Sequence, residues 1–375
     1  MDNNVSKGLE GVVAAQTGLS LVDGENSRLL YLGIPIQDLI AESTFEEVVF
    51  LLFFRRLPTR LELDSFSKEL ASLRTLPDEM LNFLSEFARS ANPMAMLRTM
   101  VSALGLFDPQ ADANSREANL QKAKRLVAVM PTIVAAFHRI RQKQKIVHPK
   151  KVLSLAENFL LMLHGKPSPP AHIKALDQYL IMLADHGLNA STFAARVTIA
   201  TQSDIYSAVT SAIGTLKGDL HGSANQRAME MFLQVGSPEK ATGYVRSLFE
   251  QKKKVMGFGH RIYKKEDPRA PQFREIAERL TRGTESELWF KVAVEIEKAV
   301  QKEKPIPPNV DFYSSIVLCA VGVPVDFFTT IFAMSRVAGW TAHVLEQLED
   351  NRLIRPEADY TGPASQEYVS VEKRK

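Results

Sequence analysis

Cysteine is almost absent from this chain, since Cys319 is the only one among 375 residues. A disulfide framework and a thiolate zinc site are therefore excluded, and a reducing compartment is expected. Long apolar runs are also missing: the longest, from Val48 to Phe54, is far too short to cross a bilayer. The first residues show no charged-then-apolar signal pattern, so we expect a soluble, cytoplasmic protein.

The charge of the chain has little excess of either sign. Lys and Arg number 46 against 43 Asp and Glu, which leaves a net charge of +3. A nucleic-acid surface needs a larger basic excess, so the local basic clusters suit a small anionic ligand better. The charges of a basic helix predicted between residues 118 and 141 are interpreted as a solvated face; they are Lys122, Lys124, Arg125, Arg139 and Arg141.

Strand patterns are scarce as well. Leu19 to Val22 and Arg28 to Tyr31 flank a turn at residues 23–27 and predict one small hairpin. Apolar residues at helical spacing follow, to roughly residue 349. The sequence therefore predicts an all-α fold with a minor N-terminal β-hairpin, large enough for two domains or one large one.

A glycine-flanked histidine lies in the densest cluster of chemically active residues. His260 follows Met256-Gly257-Phe258-Gly259 and precedes several basic side chains, among them Lys264 and Arg269. The two glycines allow a tight turn and close approach of a ligand, with N–H groups free to face it. Taken alone, the segment fits a turn beside a solvated charge run about as well.

Two further residues are placed near predicted helix starts. His221 precedes a helical block, where the positive end of the helix dipole keeps an imidazole neutral and able to donate to an oxyanion. Asp311 follows Asn309 and a proline-rich stop, where the same dipole favours the carboxylate that a general base requires. A capping histidine and an N-cap aspartate are the simpler interpretations of each residue by itself.

Three more charged or titratable residues occur in apolar surroundings. Arg336 stands alone in an apolar helix, so either a structural acid or a bound substrate carboxylate should meet it. Arg196 is equally isolated, and the sequence assigns it no function. His186 lies where one helix ends and the next begins, and a neutral C-terminal cap is the simpler interpretation.

Three motifs resemble those of the citrate synthase family in type and order. They are Leu-His-Gly-Ser-Ala-Asn-Gln from residue 220, Gly-Phe-Gly-His-Arg-Ile-Tyr-Lys from residue 257 with Asp-Pro-Arg-Ala from 267, and Asn-Val-Asp-Phe-Tyr-Ser from 309. The resemblance covers nearly the whole chain. It implies a large multi-helical domain, residues 1–222 and 326–375, and a smaller helical domain, residues 223–325, closing over a cleft.

The resemblance also implies a reaction and its residues. Asp311 would remove the methyl proton of acetyl-CoA, His221 would stabilise the enol, and His260 would polarise and protonate the keto oxygen of oxaloacetate; water would then cleave the citryl thioester, a step of the tricarboxylic acid cycle. Oxaloacetate would meet His186, Arg269, Arg336 and, from the second subunit of a homodimer, Arg355. CoA, a substrate and not a cofactor, would meet Met256, Gly257, Phe258, Gly259 and Lys264, although some relatives place an arginine where Lys264 stands.

Three alternatives stay open at this point. A 2-methylcitrate synthase uses propionyl-CoA with the same residues, and one methylene in an acyl pocket is worth only ~1 to 3 kcal/mol. Two histidines and an aspartate also suit an iron site. An iron site does not explain the basic clusters. A non-catalytic helical scaffold is the third, and the presence of all three reacting residues weighs against it.

Overall fold

The structure is a computed structural model that describes residues 5–87 and 91–374. Helices dominate it. Sixteen α-helices are assigned in the described chain, with the bounds α1 Ile36–Glu42, α2 Phe45–Phe54, α3 Arg60–Ser72, α4 Asp78–Phe87, α5 Pro93–Leu104, α6 Arg116–Arg141, α7 Leu155–His164, α8 Pro170–Leu183, α9 Ala190–Ala200, α10 Ile205–Leu216, α11 Ala224–Val235, α12 Ala241–Glu250, α13 Ala270–Thr281, α14 Glu287–Glu303, α15 Val310–Ala320 and α16 Phe328–Glu349. The predicted all-α fold is confirmed.

The predicted N-terminal hairpin is also confirmed, and it carries a short third strand. Strands β1 (Ser20–Asp23) and β2 (Arg28–Tyr31) pair antiparallel, with Ser20 opposite Tyr31, and β3 (Ile34–Pro35) pairs antiparallel with β2. Asp23 accepts hydrogen bonds from the backbone and side chain of Asn26, which closes the turn. The hairpin is therefore a small, ordered appendage on a helical body.

Helix α16 forms the centre of the hydrophobic core. Every side chain from Phe328 to Leu345 is buried, because this helix contacts α6, α8, α9 and α10 on different sides. A helix that is apolar all round belongs in an interior. Two of its few polar residues, Arg336 and His343, are buried with it, and both are discussed below.

The basic face predicted for α6 is wrong, because none of its five charged side chains is exposed. Lys122 is 3 % exposed and donates to the carbonyl oxygens of Gln110, Ala111 and Ala113. Lys124 is 6 % exposed and pairs with Glu69 at 2.9 Å. The connection before α6 thus folds back over the helix and supplies acceptors that the sequence pattern does not reveal.

Helices α11 to α15 pack on one another, while α8 and α16 contact them from the rest of the chain. Prolines separate neighbouring helices at residues 167–170 and 305–308, as expected from the sequence. The division into a large and a smaller domain at residues 222/223 and 325/326 stays a prediction. Within the described residues, no helix combines the length and apolar character that a bilayer crossing requires.

Candidate active site

His221 lies in the loop between α10 and α11, three residues before α11 begins. Its Nε2 atom accepts the backbone N–H of Ser191 at 3.3 Å and lies 2.8 Å from the Ser191 hydroxyl. A backbone N–H is always a donor, so Nε2 must be the acceptor and a neutral ring carries its proton on Nδ1. The ring therefore presents one N–H donor away from Ser191.

The His221 imidazole is neutral at pH 7. Burial lowers its pKa to about 4, and the Arg336 guanidinium acts in the same direction. The neutral ring expected from the sequence agrees with this environment, although the expected cause does not. The ring contacts the start of α9, through Ser191. Within the described residues it makes no hydrogen bond to the start of α11, the helix that follows His221 in the sequence.

His260 is neutral for a similar reason and has the opposite tautomer. Its Nδ1 atom accepts the backbone N–H groups of Ile262 at 3.0 Å and Tyr263 at 3.1 Å, which leaves the ring proton on Nε2. Burial lowers the pKa of His260 to about 4, with a further contribution from Arg269. The turn that follows the histidine thus orients it as a hydrogen-bond donor.

The glycines before His260 serve a purpose that differs from the one predicted. Both adopt positive φ, 80° at Gly257 and 75° at Gly259, yet the Gly259 N–H donates to the carbonyl of Pro307 and is not free for a ligand. A Cβ at Gly257 would lie 2.8 Å from the Cβ of Phe312. The missing side chain therefore makes room for α15, and the prediction of a free N–H at Gly259 is wrong.

Asn309 connects the His260 segment to the start of α15. Its Oδ1 accepts the backbone N–H of Asp311 at 3.0 Å, and its Nδ2 donates to the carbonyl of Gly259 at 2.8 Å. One side chain thereby caps the helix that carries Asp311 and holds the loop that carries His260.

Asp311 has a raised pKa, whereas the sequence suggested a stabilised carboxylate. The side chain is half-buried in the second position of α15, and burial raises its pKa to about 7 against the opposing effect of Arg269. The helix dipole does not compensate this loss of hydration, partly because Asn309 already occupies the Asp311 N–H. The carboxyl group is consequently poised to exchange a proton near neutral pH.

Two buried arginines differ sharply in their partners. Arg269 binds the buried Asp267 carboxylate in bidentate fashion, at 2.9 and 2.8 Å, and Asp267 also accepts the N–H of Val310 at the start of α15. The pairing outweighs burial and raises the pKa of Arg269. Arg269 is thus fixed in place and contributes to the field around Asp311.

Arg336 has no such carboxylate. Within the part of the chain that the structure describes, no Asp or Glu oxygen lies within ion-pair distance of its guanidinium. Its Nε donates to the carbonyl of Leu183 at 2.6 Å, and the group stacks 4.8 Å above the Phe332 ring. Burial lowers its pKa to about 10, so it remains a cation at pH 7. Of the two partners that the sequence left open, a bound anion fits this environment better than a structural acid.

His186 lies between α8 and α9, as predicted, and its ring is a neighbour of His260. The two ring centres are 5.4 Å apart, and His186 Nε2 is 3.1 Å from the Tyr263 hydroxyl. Burial lowers the pKa of His186 well below its usual value, and the positive charges of Arg269 and Arg336 lower it further. The ring is uncharged and suited to hydrogen bonding with a ligand, which goes beyond a capping role.

The structure gathers most of the predicted residues around the two arginines. Arg336 influences the pKa of His221, His186 and Asp311, while Arg269 influences that of His186, His260 and Asp311. Such mutual effects require that these groups lie close to one or both arginines.

Two predicted residues lie apart from this group in the single chain. Lys264 is exposed and pairs with Glu25 at 2.9 Å. Arg355 is exposed on the C-terminal segment that follows α16.

Sequence reasoning missed several residues that hold the site together. Tyr263, Ser191, Asp267 and Asn309 make the hydrogen bonds described above, and none of their pairings follows from spacing. Of these four, only Asp267 could have been found from the sequence. It lies two residues before Arg269, and a buried arginine needs an acidic partner.

Arg196 turns out to be structural. It is 3 % exposed, donates to Glu346 at 2.9 Å and to Gln347 at 3.0 Å, and contacts His343 Nδ1 at 2.9 Å. Its buried charge is thereby satisfied without any ligand.

The iron alternative finds no support in the arrangement of ligands. Among residues 5–87 and 91–374, no three His, Cys, Asp or Glu side chains come together in a way that could hold a metal ion.

Fold and site together define a helical protein with a titrating carboxyl group and neutral imidazoles near a buried cation, an arrangement suited to moving a proton next to a bound anion. Comparisons with known proteins identify it further. Residues 8–357 match the family model described as "Citrate synthase, C-terminal domain". The chain belongs to the citrate synthase family.

Individual relatives are similar over almost their full length. Citrate synthase 2 of Bacillus subtilis is 48% identical over 98% of this chain and 99% of its own. A 2-methylcitrate synthase of Mycobacterium tuberculosis is 42% identical over 96% and 91%. The citrate synthase structure of Thermoplasma acidophilum, a ternary complex with carboxymethyl coenzyme A and oxaloacetate, is 34% identical with a TM-score of 0.94 and covers 99% of each chain.

Proposed function

We propose that this enzyme condenses acetyl-CoA with oxaloacetate and hydrolyses the resulting citryl-CoA to citrate and CoA. Family membership supports the reaction, and the CoA thioester is then a substrate, so no cofactor is needed. The observation that carries the proposal is the unpaired, buried Arg336 beside neutral His221 and titrating Asp311. A site of this kind binds a carboxylate and moves a proton next to it.

Asp311 is the base of the proposed mechanism. With a pKa of about 7, it is substantially ionised at neutral pH and basic enough to accept a proton from the thioester methyl group. The Nδ1–H group of His221 donates to the thioester oxygen as negative charge develops there, which stabilises the enol. Because the ring is neutral, it stabilises that oxygen as a hydrogen-bond donor and brings no further positive charge into the site.

His260 acts on the second substrate. Its Nε2–H group donates to the keto oxygen of oxaloacetate, which draws electron density from the carbon that the enol attacks, and it delivers the proton as the new carbon–carbon bond forms. The Ile262 and Tyr263 N–H groups keep Nδ1 occupied, so the donor always points from Nε2. The proton that Asp311 removed from the methyl group then restores the His260 ring. Water adds its hydroxyl to the thioester carbon, the carbon–sulfur bond breaks, and the second water proton leaves with the CoA sulfur.

The carboxylates of oxaloacetate are proposed to bind Arg336, Arg269 and His186. Arg336 offers an unpaired cation, and Arg269 still has an Nη1 group that Asp267 does not engage. Arg355 is proposed to reach this site from a second subunit, because it is exposed in its own chain and lies outside its own site. This arrangement requires a homodimer, which is part of the proposal.

CoA is proposed to lie along the segment from Met256 to Gly259, with Lys264 near a phosphate. Gly257 and Gly259 turn the backbone tightly there, and Lys264 is accessible although it pairs with Glu25. A soluble, cytoplasmic location accords with the lack of a membrane-crossing helix in the described residues.

Domain closure on oxaloacetate belongs to the same proposal. In the predicted division, His260 and Arg269 belong to the smaller domain, residues 223–325, whereas His186 and Arg336 belong to the larger one. A shared ligand therefore favours the closed arrangement. Small-angle scattering with and without oxaloacetate checks this: a smaller radius of gyration is expected on binding, and an unchanged curve contradicts closure.

A 2-methylcitrate synthase remains the second candidate, because the M. tuberculosis relative is 42% identical. Purified protein assayed for thiol release with acetyl-CoA and with propionyl-CoA, each with oxaloacetate, distinguishes the two. Faster turnover of acetyl-CoA is expected. A clear preference for propionyl-CoA establishes the second candidate, and no thiol release from either establishes a non-catalytic protein.

The residue assignments have their own test. Asp311→Ala and His260→Ala should fold and lose turnover by a factor on the order of 10² to 10⁴, as expected when a positioned base or acid is removed. Near-normal rates in both variants contradict the mechanism.

A further inference from the structure

The N-terminal hairpin is the one feature of the sequence that the chemistry does not use. Its base is attached to the His186 loop. The Ser20 hydroxyl donates to the Asp185 carboxylate at 2.5 Å and accepts the Gly187 N–H at 2.9 Å, and the Tyr31 hydroxyl donates to the Asp185 carbonyl at 2.9 Å. The hairpin is thereby fixed to the side of the cleft that carries His186.

The tip of the hairpin contacts the opposite side. The Lys264 N–H donates to the Gly24 carbonyl at 3.2 Å, and the Glu266 N–H donates to the Ser27 hydroxyl at 3.2 Å. Contact is so close that a Cβ placed on Gly24 would lie 2.3 Å from the carbonyl oxygen of Ile262. Residues 262–266 lie between His260 and Arg269, and the N–H groups of Ile262 and Tyr263 orient His260, so the tip holds the segment that orients this histidine.

The same segment touches the His186 side at a second point. Tyr263, whose N–H binds His260, places its hydroxyl 3.1 Å from His186 Nε2. Any movement of residues 262–266 away from the hairpin therefore also moves Tyr263 and His260 away from His186. Hairpin and site are mechanically connected.

We propose that the turn formed by residues 23–27 is a strap across the cleft, and that Gly24 and Ser27 are positioning residues that stabilise the closed arrangement. They act through the backbone of residues 262–266 on His260 and Tyr263, without touching substrate. The inference rests on the proposed site. The strap favours closure because its bonds to Lys264 and Glu266 form only when that segment lies against the hairpin.

Gly24→Ala is the direct test, because its added methyl group prevents the close contact with Ile262 while leaving the turn itself unstrained. Gly24 has no positive φ, so alanine fits its backbone. Gly243→Ala is the matched control, since a Cβ there has nothing within 4 Å. Ser27→Gly removes the hydroxyl together with its Cβ, and glycine is chosen over alanine because it adopts the φ of 52° at this position without strain.

Two measurements are made on each variant of the full-length enzyme. The first is amide hydrogen exchange of a peptide covering residues 260–267, without substrate. We expect about tenfold faster exchange there in Gly24→Ala and Ser27→Gly, and no change in Gly243→Ala. The second is steady-state kinetics, where KM for oxaloacetate should rise about tenfold with kcat reduced much less.

The two measurements test the strap separately from the proposed function. Exchange without substrate reports on the strap even if the wild-type enzyme proves inactive with oxaloacetate. Unchanged exchange in Ser27→Gly and in a folded Gly24→Ala overturns the proposal, and so does faster exchange with KM for oxaloacetate unaltered in an active enzyme. If Gly24→Ala fails to fold, Ser27→Gly decides alone.

Discussion

Replacing Asp311 by asparagine should make the protein more stable while removing most of its activity. The half-buried carboxyl group has a pKa of about 7 where 3.8 is ordinary, because burial disfavours its charged form. At ~1.4 kcal/mol for each pH unit this difference corresponds to at most ~4 kcal/mol, and partial hydration of the side chain reduces it to roughly 2 kcal/mol.

The sign of the effect follows from proton linkage. The folded protein binds this proton more tightly than the unfolded chain, so Asp311 costs no stability below about pH 4. Its cost grows as the pH rises from about 4 to about 7 and is constant above that. Asparagine has the same shape and never ionises, so the variant escapes this cost.

Urea unfolding of the wild type and Asp311→Asn at pH 5 and pH 8, at one protein concentration, measures the difference. The variant should be more stable by roughly 2 kcal/mol at pH 8 and by less at pH 5, while turnover falls by a factor on the order of 10² to 10⁴. Asp204→Asn is the matched control, because Asp204 also lies at a helix start but outside the site. A variant that is less stable than the wild type at pH 8, or a difference that does not depend on pH, refutes the reasoning.

Other predictions concern charge. The kcat/KM for acetyl-CoA should rise with pH through about 7 as Asp311 ionises, and a profile that is flat between pH 6 and 8 contradicts this. Arg336→Met should raise KM for oxaloacetate at least 100-fold without lowering the free energy of unfolding, since no carboxylate loses its partner; a markedly destabilised variant argues for a structural role. Arg269→Met should instead destabilise by roughly 3 to 5 kcal/mol in urea, because buried Asp267 is left unpaired. Arg196→Met should be similarly destabilised with KM values unchanged, and altered substrate affinity would give Arg196 a functional part.

Local sequence patterns were sufficient for the elements whose structure is decided locally. Two short, largely apolar segments on either side of a polar turn predicted the hairpin, and helical spacing with proline stops predicted the helices. The site residues were found because their motifs combine residue types that a core does not need. His221, His260 and Asp311 come from three distant segments, yet His221 lies near Arg336, His260 near Arg269, and Asp311 near both.

The pKa values, burial and partners of individual charged side chains depend on tertiary packing, which local sequence patterns do not reveal. The pKa of Asp311 depends on side chains packed over it, which outweigh the helix dipole that its position in the chain suggested. Lys122 appeared to be a surface charge, and it is buried because carbonyl groups of residues 110–113 fold over it. Arg336 and Arg196 looked alike in sequence and differ only in whether a glutamate comes within reach.

The tautomers of two histidines test the proposed mechanism most directly. Nitrogen NMR of the enzyme labelled with ¹⁵N-histidine reports which ring nitrogen carries the proton, with His221→Gln and His260→Gln variants supplying the assignments. We predict that both rings are neutral at pH 7, with the proton on Nδ1 of His221 and on Nε2 of His260. A cationic ring at pH 7, or a proton on the opposite nitrogen of either, contradicts the mechanism.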